Sequence, residues 1–80
     1  MVSFFTEENL VNVTEENIEI NKEVVPGPDW MGGDKKSYGI GVIMTNYDDG
    51  WVQVRWNKTG ELQDHQVGHD GKYELYYAGE

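Results

Sequence analysis

Trp51-Val52-Gln53-Val54-Arg55-Trp56 alternates without a break. Successive side chains on a strand point to opposite faces. Val52, Val54 and Trp56 therefore share one face, and Trp51, Gln53 and Arg55 the other. A strand with one apolar face must bury that face against something else. Turn chemistry brackets the run. Asp48-Asp49-Gly50 before it is a tight hairpin signal, and Asn57-Lys58-Thr59-Gly60 after it is a second turn.

The same punctuation continues on both sides, helped by ten glycines. Val24-Val25 reads as a short strand, which the chain must leave at Pro26 and Pro28, because proline fits neither a helix interior nor a central strand. Residues 39–47 are rich in β-branched side chains and read as a strand. Residues 61–67 form a more polar one. Asp70-Gly71 turns the chain again, and residues 73–77 close the set. Short strands joined by tight turns predict a compact all-β domain, either a small barrel or a sandwich. Its expected core is Trp30, Val52, Val54, Trp56, Tyr73 and Leu75. With no cysteine in 80 residues, aromatic side chains must supply much of that core, and three Trp, five Tyr and two Phe are available.

Residues 1–21 read differently. Thr6-Glu7-Glu8-Asn9-Leu10 recurs as Thr14-Glu15-Glu16-Asn17-Ile18. Each copy starts like a helix N-terminus, with a capping threonine and then acids. The copies then diverge into the alternating Val11-Asn12-Val13 and Ile18-Glu19-Ile20. Two copies are too few for a solenoid. The expectation is a short acidic N-terminal extension over 1–21, with a turn of helix near Thr6 and a strand near Ile18, followed by a β domain over 22–80. Phe4, Phe5, Leu10 and Ile20 argue against a fully disordered tail.

Charge and composition exclude several functions. The formal net charge is −9. Phosphate backbones and anionic membrane surfaces call for the opposite sign, so nucleic acid is not an expected partner and neither is a membrane surface. No apolar run approaches the roughly 20 residues that span a bilayer. No basic segment followed by an apolar one opens the chain, so the expectation is a cytoplasmic, intracellular protein or domain. Without cysteine the chain has no thiol nucleophile and no cysteine zinc site, and no enzyme activity is expected. Asp64-His65 and His69-Asp70 hold metal-ligating residue types, but Gly68 separates the pairs at a bend and no third histidine exists, so no metal is expected. Gly39-Ile40-Gly41 lies in a strand-like run without a following helix and makes no phosphate loop. No cofactor is expected.

Three stretches taken in order carry a family resemblance: Val24-Val25-Pro26-Gly27-Pro28-Asp29-Trp30, Asp49-Gly50-Trp51-Val52-Gln53-Val54-Arg55-Trp56, and Gly68 through Gly71-Lys72-Tyr73-Glu74-Leu75. Over residues 22–77 the chain resembles the MIB/HERC domain shared by Mind bomb and the large HERC-type ubiquitin ligases. The resemblance implies an SH3-like barrel that binds proteins and catalyses nothing, as a substrate-recognition module. It places Gly27 at a tight corner, Asp29 as a cap for backbone N–H groups, and Trp30 folded back on the core. The sequence departs from the family in the shorter, more basic loop at residues 31–39. It departs again in the third strand, where His65 stands for a tyrosine and Gln66 for an arginine.

Strand parity then selects the candidate surface. Val52 and Val54 take the core face, which leaves Trp51, Gln53 and Arg55 outward. Tyr38 from the loop and His65 are expected to join them in binding a protein or peptide. Trp and Arg are the types most enriched in binding hot spots. Arg55 is also the only arginine in an acidic chain and suits a carboxylate on the partner. The acidic remainder favours a partner with a basic segment. Two other readings remain open at this point: a small standalone scaffold or adaptor unrelated to ubiquitin transfer, and an aromatic-cage reader of a cationic peptide.

Overall fold

Among the described residues five strands follow one another: β1 (Glu23–Pro26), β2 (Gly41–Asn46), β3 (Trp51–Trp56), β4 (Leu62–Gln66) and β5 (Leu75–Tyr77). The structure is a computed structural model that describes residues 11–78, apart from the side chain of Lys36. All neighbours pair antiparallel, in the order β4-β3-β2-β1-β5. One helical turn, α1 (Lys35–Tyr38), precedes β2, and a 3-10 turn (His69–Gly71) separates β4 from β5. The sequence had placed no helix there. Residues 31–38 lack apolar periodicity, and the turn is held locally, by the Ser37 N–H donating to the Asp34 carbonyl at 3.1 Å.

The β2–β3 hairpin shows why its turn residues are needed. The Tyr47 N–H donates to the Trp51 carbonyl at 3.1 Å, which closes a three-residue loop. Asp48 (φ 67°) and Gly50 (φ 88°) both enter the left-handed region. Asn46 Oδ1 accepts the Asp48 N–H at 2.8 Å. A Cβ on Gly50 would also stand 2.7 Å from the His69 backbone nitrogen, so the site requires glycine on two counts. Within β2 the register shifts between Ile43 and Thr45, which turns Met44 out to solvent.

Val52, Val54 and Trp56 of β3 are fully buried, as their alternation predicts, and Leu75 joins them. Val24, Ile43 and Tyr77 complete the strand contribution, and Val67 adds to it just after β4. Two expected core residues sit further out. Trp30 packs partly buried against the cluster, and Tyr73, half-buried, lies outside it. At the corner after β1, a Cβ on Gly27 would lie 2.7 Å from the Leu75 nitrogen, so close approach of two backbones requires the glycine. Asp29 Oδ2 accepts the Tyr73 N–H at 2.7 Å, which is the backbone cap expected of it.

The stretch 11–21 is packed on the sheet. Val13 is fully buried in the core, and Ile18 packs against it. The Val13 N–H donates to the Leu75 carbonyl at 3.0 Å, and the Tyr77 N–H donates to the Val11 carbonyl at 2.8 Å, so this stretch covers the outer edge of β5. The strand expected near Ile18 does not form. The stretch pairs through the bridge Asn12↔Tyr76, the Asn17 side chain then turns the chain by accepting the Thr14 N–H at 2.8 Å, and the Asn21 N–H returns to the sheet at the Ile43 carbonyl, 2.8 Å away. The helical turn expected near Thr6 lies outside the described residues.

The two end strands of the sheet approach each other without forming a ladder. The bridge Val67↔Tyr73 links their ends through two backbone bonds, from the Glu74 N–H to the Gln66 carbonyl at 3.0 Å and from the Gly68 N–H to the Lys72 carbonyl at 2.8 Å. The sheet is therefore open. The architecture in hand is a small five-stranded antiparallel β domain, and a fully hydrogen-bonded closed barrel is not formed.

Candidate functional site

β3 carries the candidate surface on its outward side. Its register sets Trp51 opposite Gln66, Gln53 opposite Asp64 and Arg55 opposite Leu62 on β4, with Val42 and Thr45 of β2 on the other flank. Trp51 is half-buried, and its ring lies 5.4 Å from that of His69 between centroids. Thr45 Oγ1 donates to Gln53 Oε1 at 3.3 Å, which ties Gln53 to the sheet. Arg55 is exposed, and no acid among the described residues pairs with it. Exposed Leu62 and Tyr47 extend the same side. The Tyr47 hydroxyl donates to Asp64 Oδ1 at 3.0 Å, and this bond to a carboxylate raises the Tyr47 pKa above the usual phenol value. The result is a polar sheet face with an aromatic anchor and a cation that no described acid pairs.

The structure gathers three of the five expected residues, Trp51, Gln53 and Arg55, and places the other two elsewhere. His65 pairs with Val52, an inward position, and is 5% exposed. It is therefore a core residue and not part of the outward surface. Tyr38 on α1 is half-buried on the inner side. Its ring meets Trp30 edge-on at 4.9 Å and Trp56 at 5.4 Å.

His65 is the centre of a buried polar network. The Trp56 indole N–H donates to His65 Nε2 at 3.2 Å, and His65 Nδ1 lies 2.9 Å from Glu74 Oε1. An indole N–H can only donate, so Nε2 is the acceptor and Nδ1 holds the proton shared with Glu74. The second Glu74 oxygen accepts the Gln66 N–H at 2.9 Å. The Trp30 ring stacks on His65 at 4.8 Å. The polar atoms of Trp56, His65 and Glu74 are thus paired inside the fold, which gives the network a structural role. The Trp30 indole N–H is buried beside it without an acceptor among the described residues.

A cleft of about 600 Å³ lies away from both faces of β3, between residues 11–23 and the end of β5. Val11, Asn17, Glu19, Lys22 and Tyr77 help to line it. The Tyr77 hydroxyl accepts the Glu19 N–H at 2.9 Å and donates to the Asn17 carbonyl. Burial raises the Tyr77 pKa above the usual phenol value, the bond from the Glu19 N–H opposes this, and the Glu19 charge adds to the rise. Among the described residues, no helix is long and apolar enough to cross a membrane.

These features define a small antiparallel β domain with a solvent-facing Trp–Gln–Arg row and a separate buried aromatic–histidine network. No family model matches the chain. Over 64 residues it is 34% identical to a segment of the human E3 ubiquitin-protein ligase HERC2. That alignment covers 76% of this chain and 1% of HERC2. The chain is thus similar to one small segment of a very large ubiquitin ligase.

Proposed function

We propose that this chain is a non-catalytic protein-binding module of the MIB/HERC type, in which the five strands take an SH3-like arrangement and recognise substrate for a ubiquitin ligase. Two findings support the reading: the similarity to a HERC2 segment, and agreement of the corner residues Gly27 and Asp29 with the roles the resemblance implies. The observation that carries the binding role is the outward row of β3. Trp51, Gln53 and Arg55 share one face of a strand whose other face is fully buried, and Arg55 has no acid paired with it among the described residues. Hot spots are enriched in Trp and Arg at such positions.

The partner carries a carboxylate for Arg55 and a basic segment that complements the net charge of −9. It meets the chain inside the cell. Chemistry is left to other parts of the ligase, since a chain without cysteine has no thioester nucleophile. The test is affinity capture with the immobilised chain, identification of what is retained, and a parallel capture with a Trp51→Ala, Arg55→Ala double variant. The reading expects a partner that the native chain retains and the folded variant releases, with retention falling as salt rises. Equal retention by both folded proteins contradicts it.

A further inference from the structure

The two outer edges of the sheet are treated differently. Residues 11–13 cover the edge of β5 with backbone bonds. No described residue covers the edge of β4 in this way. Its pairs Arg55↔Leu62 and Gln53↔Asp64 are the widely spaced kind, whose N–H and C=O groups point away from the partner strand. Two neighbours fix this phase. Trp56 N–H reaches the Glu61 carbonyl at 2.9 Å, so the pair next to Arg55↔Leu62 is the hydrogen-bonded one. Gln66, two residues beyond Asp64, sends both of its backbone groups outward, its N–H to Glu74 Oε2 and its carbonyl to the Glu74 N–H. No described residue takes the outward groups of Leu62 and Asp64, and both residues are exposed.

Proteins commonly guard such an edge with Lys, Pro or a bulge. β4 reads Leu-Gln-Asp-His-Gln, pairs in unbroken register with β3, and holds no Lys, Pro or bulge; its one charged edge side chain is Asp64. We infer that the open edge of β4 takes an extended peptide as a sixth strand, with a basic residue opposite Asp64 and an apolar residue opposite Leu62. Strand addition draws affinity from main-chain bonds and specificity from alternate side chains. Here four backbone groups, on Leu62 and Asp64, stand ready. Glu74 already occupies the position next along the edge, so the added strand continues from it.

Charge selects the occupant. Asp64 and Glu61 are the only ionised side chains that β4 and the residue before it offer, and the whole chain carries −9. A peptide with a lysine two residues from a leucine or valine places that lysine across from Asp64 and the apolar side chain across from Leu62, 56% of which is exposed. A second copy of the chain is disfavoured by the same charge, since edge-to-edge pairing brings two acidic molecules together. This inference rests on the binding role proposed above and names where and how an extended segment engages. Arg55 stands across β4 from the added strand, next to Leu62, so one peptide reaches both the edge and the outward row.

The test uses the full 80-residue chain and a blocked six-residue peptide that alternates lysine, leucine and valine, at low salt. Amide hydrogen exchange is read by NMR at single residues. The Leu62 and Asp64 amides exchange freely in the free protein and at least ten-fold more slowly at saturating peptide. Glutamate in place of lysine weakens binding at least ten-fold. N-methylation of the peptide at one set of alternate amides abolishes binding, whereas methylation of the other set does not. Leu62→Pro removes one edge N–H while leaving the β3 ladder intact, and weakens the peptide at least ten-fold at unchanged melting temperature. Should that variant fail to fold, the N-methylated peptides carry the same test on the native chain. The inference is overturned if the lysine peptide leaves the Leu62 and Asp64 amides unprotected, if both N-methylated sets bind alike, or if protection rises with protein concentration alone, which would mark self-association. Partner retention that depends on Trp51 is read in a separate experiment, so failure at the edge leaves the binding role standing.

Discussion

The two faces of β3 obey opposite rules. Inward, Val52, Val54 and Trp56 are fully buried, and even the one polar atom there, the Trp56 indole nitrogen, is bonded to His65. Outward, Trp51 is half-buried, Arg55 is exposed and Gln53 is tied by one long bond to Thr45. Each inner residue is explained by packing. The outer row contains a Trp and the chain's only arginine, and packing does not call for either. Residue types that the fold does not need are where a binding role is most economically placed.

That contrast predicts a steep gradient in stability. Trp56→Ala removes the largest fully buried side chain and strands the His65 acceptor, at a cost of about 3–5 kcal/mol. A domain this small has little more than that to lose, so the variant should be largely unfolded at 25 °C by circular dichroism. A Trp56→Ala protein with native melting behaviour breaks the inward half of the comparison. Deleting residues 1–21 takes Val13 from the core and bares the edge of β5, and should cost about 2–4 kcal/mol in urea unfolding. A shortened chain as stable as the parent would return this stretch to the status of a loose extension.

The buried network sharpens the same contrast. Glu74→Ala leaves His65 Nδ1–H and the Gln66 N–H without their acceptor, for a loss of about 1–3 kcal/mol. An unchanged urea midpoint would mean that the network is dispensable. The smallest effect concerns Tyr77. Its pKa is raised in the folded state, and its hydroxyl donates to the Asn17 carbonyl. A raised folded value means the contribution is fully present below the unfolded pKa near 10 and is lost as pH rises through the folded value. Native stability should therefore decline above about pH 10, and more steeply than in Tyr77→Phe. Identical alkaline profiles would remove Tyr77 from the account.

Strict alternation made both faces of β3 legible from the sequence, because parity within one strand needs no knowledge of its neighbours. The Gly27–Asp29 corner was legible for a similar reason: the residue types themselves imply tight turns and side-chain caps. His65 was misplaced because its face depends on the register of β4 against β3. That register is set by the irregular turn at residues 57–61, where the Gly60 N–H and the Glu61 carbonyl both bond Trp56. Val13 was missed as core because its burial comes from pairing with the far end of the chain, which leaves no local periodicity around an acidic stretch. The α1 turn carried no pattern at all. Closure into a barrel was expected from the number of strands and from the resemblance, yet among the described residues only the bridge Val67↔Tyr73, with its two backbone bonds, joins the ends of β4 and β5.

The most direct test of the division between the two faces is a paired measurement on Trp51→Ala. Melting temperature and affinity for the captured partner are determined on the same sample, the latter by titration calorimetry. The account predicts a melting temperature close to that of the native chain and a loss of affinity of about 2 kcal/mol, or roughly thirty-fold. A folded Trp51→Ala protein that binds the partner as tightly as the native chain would contradict it and move the binding surface off β3.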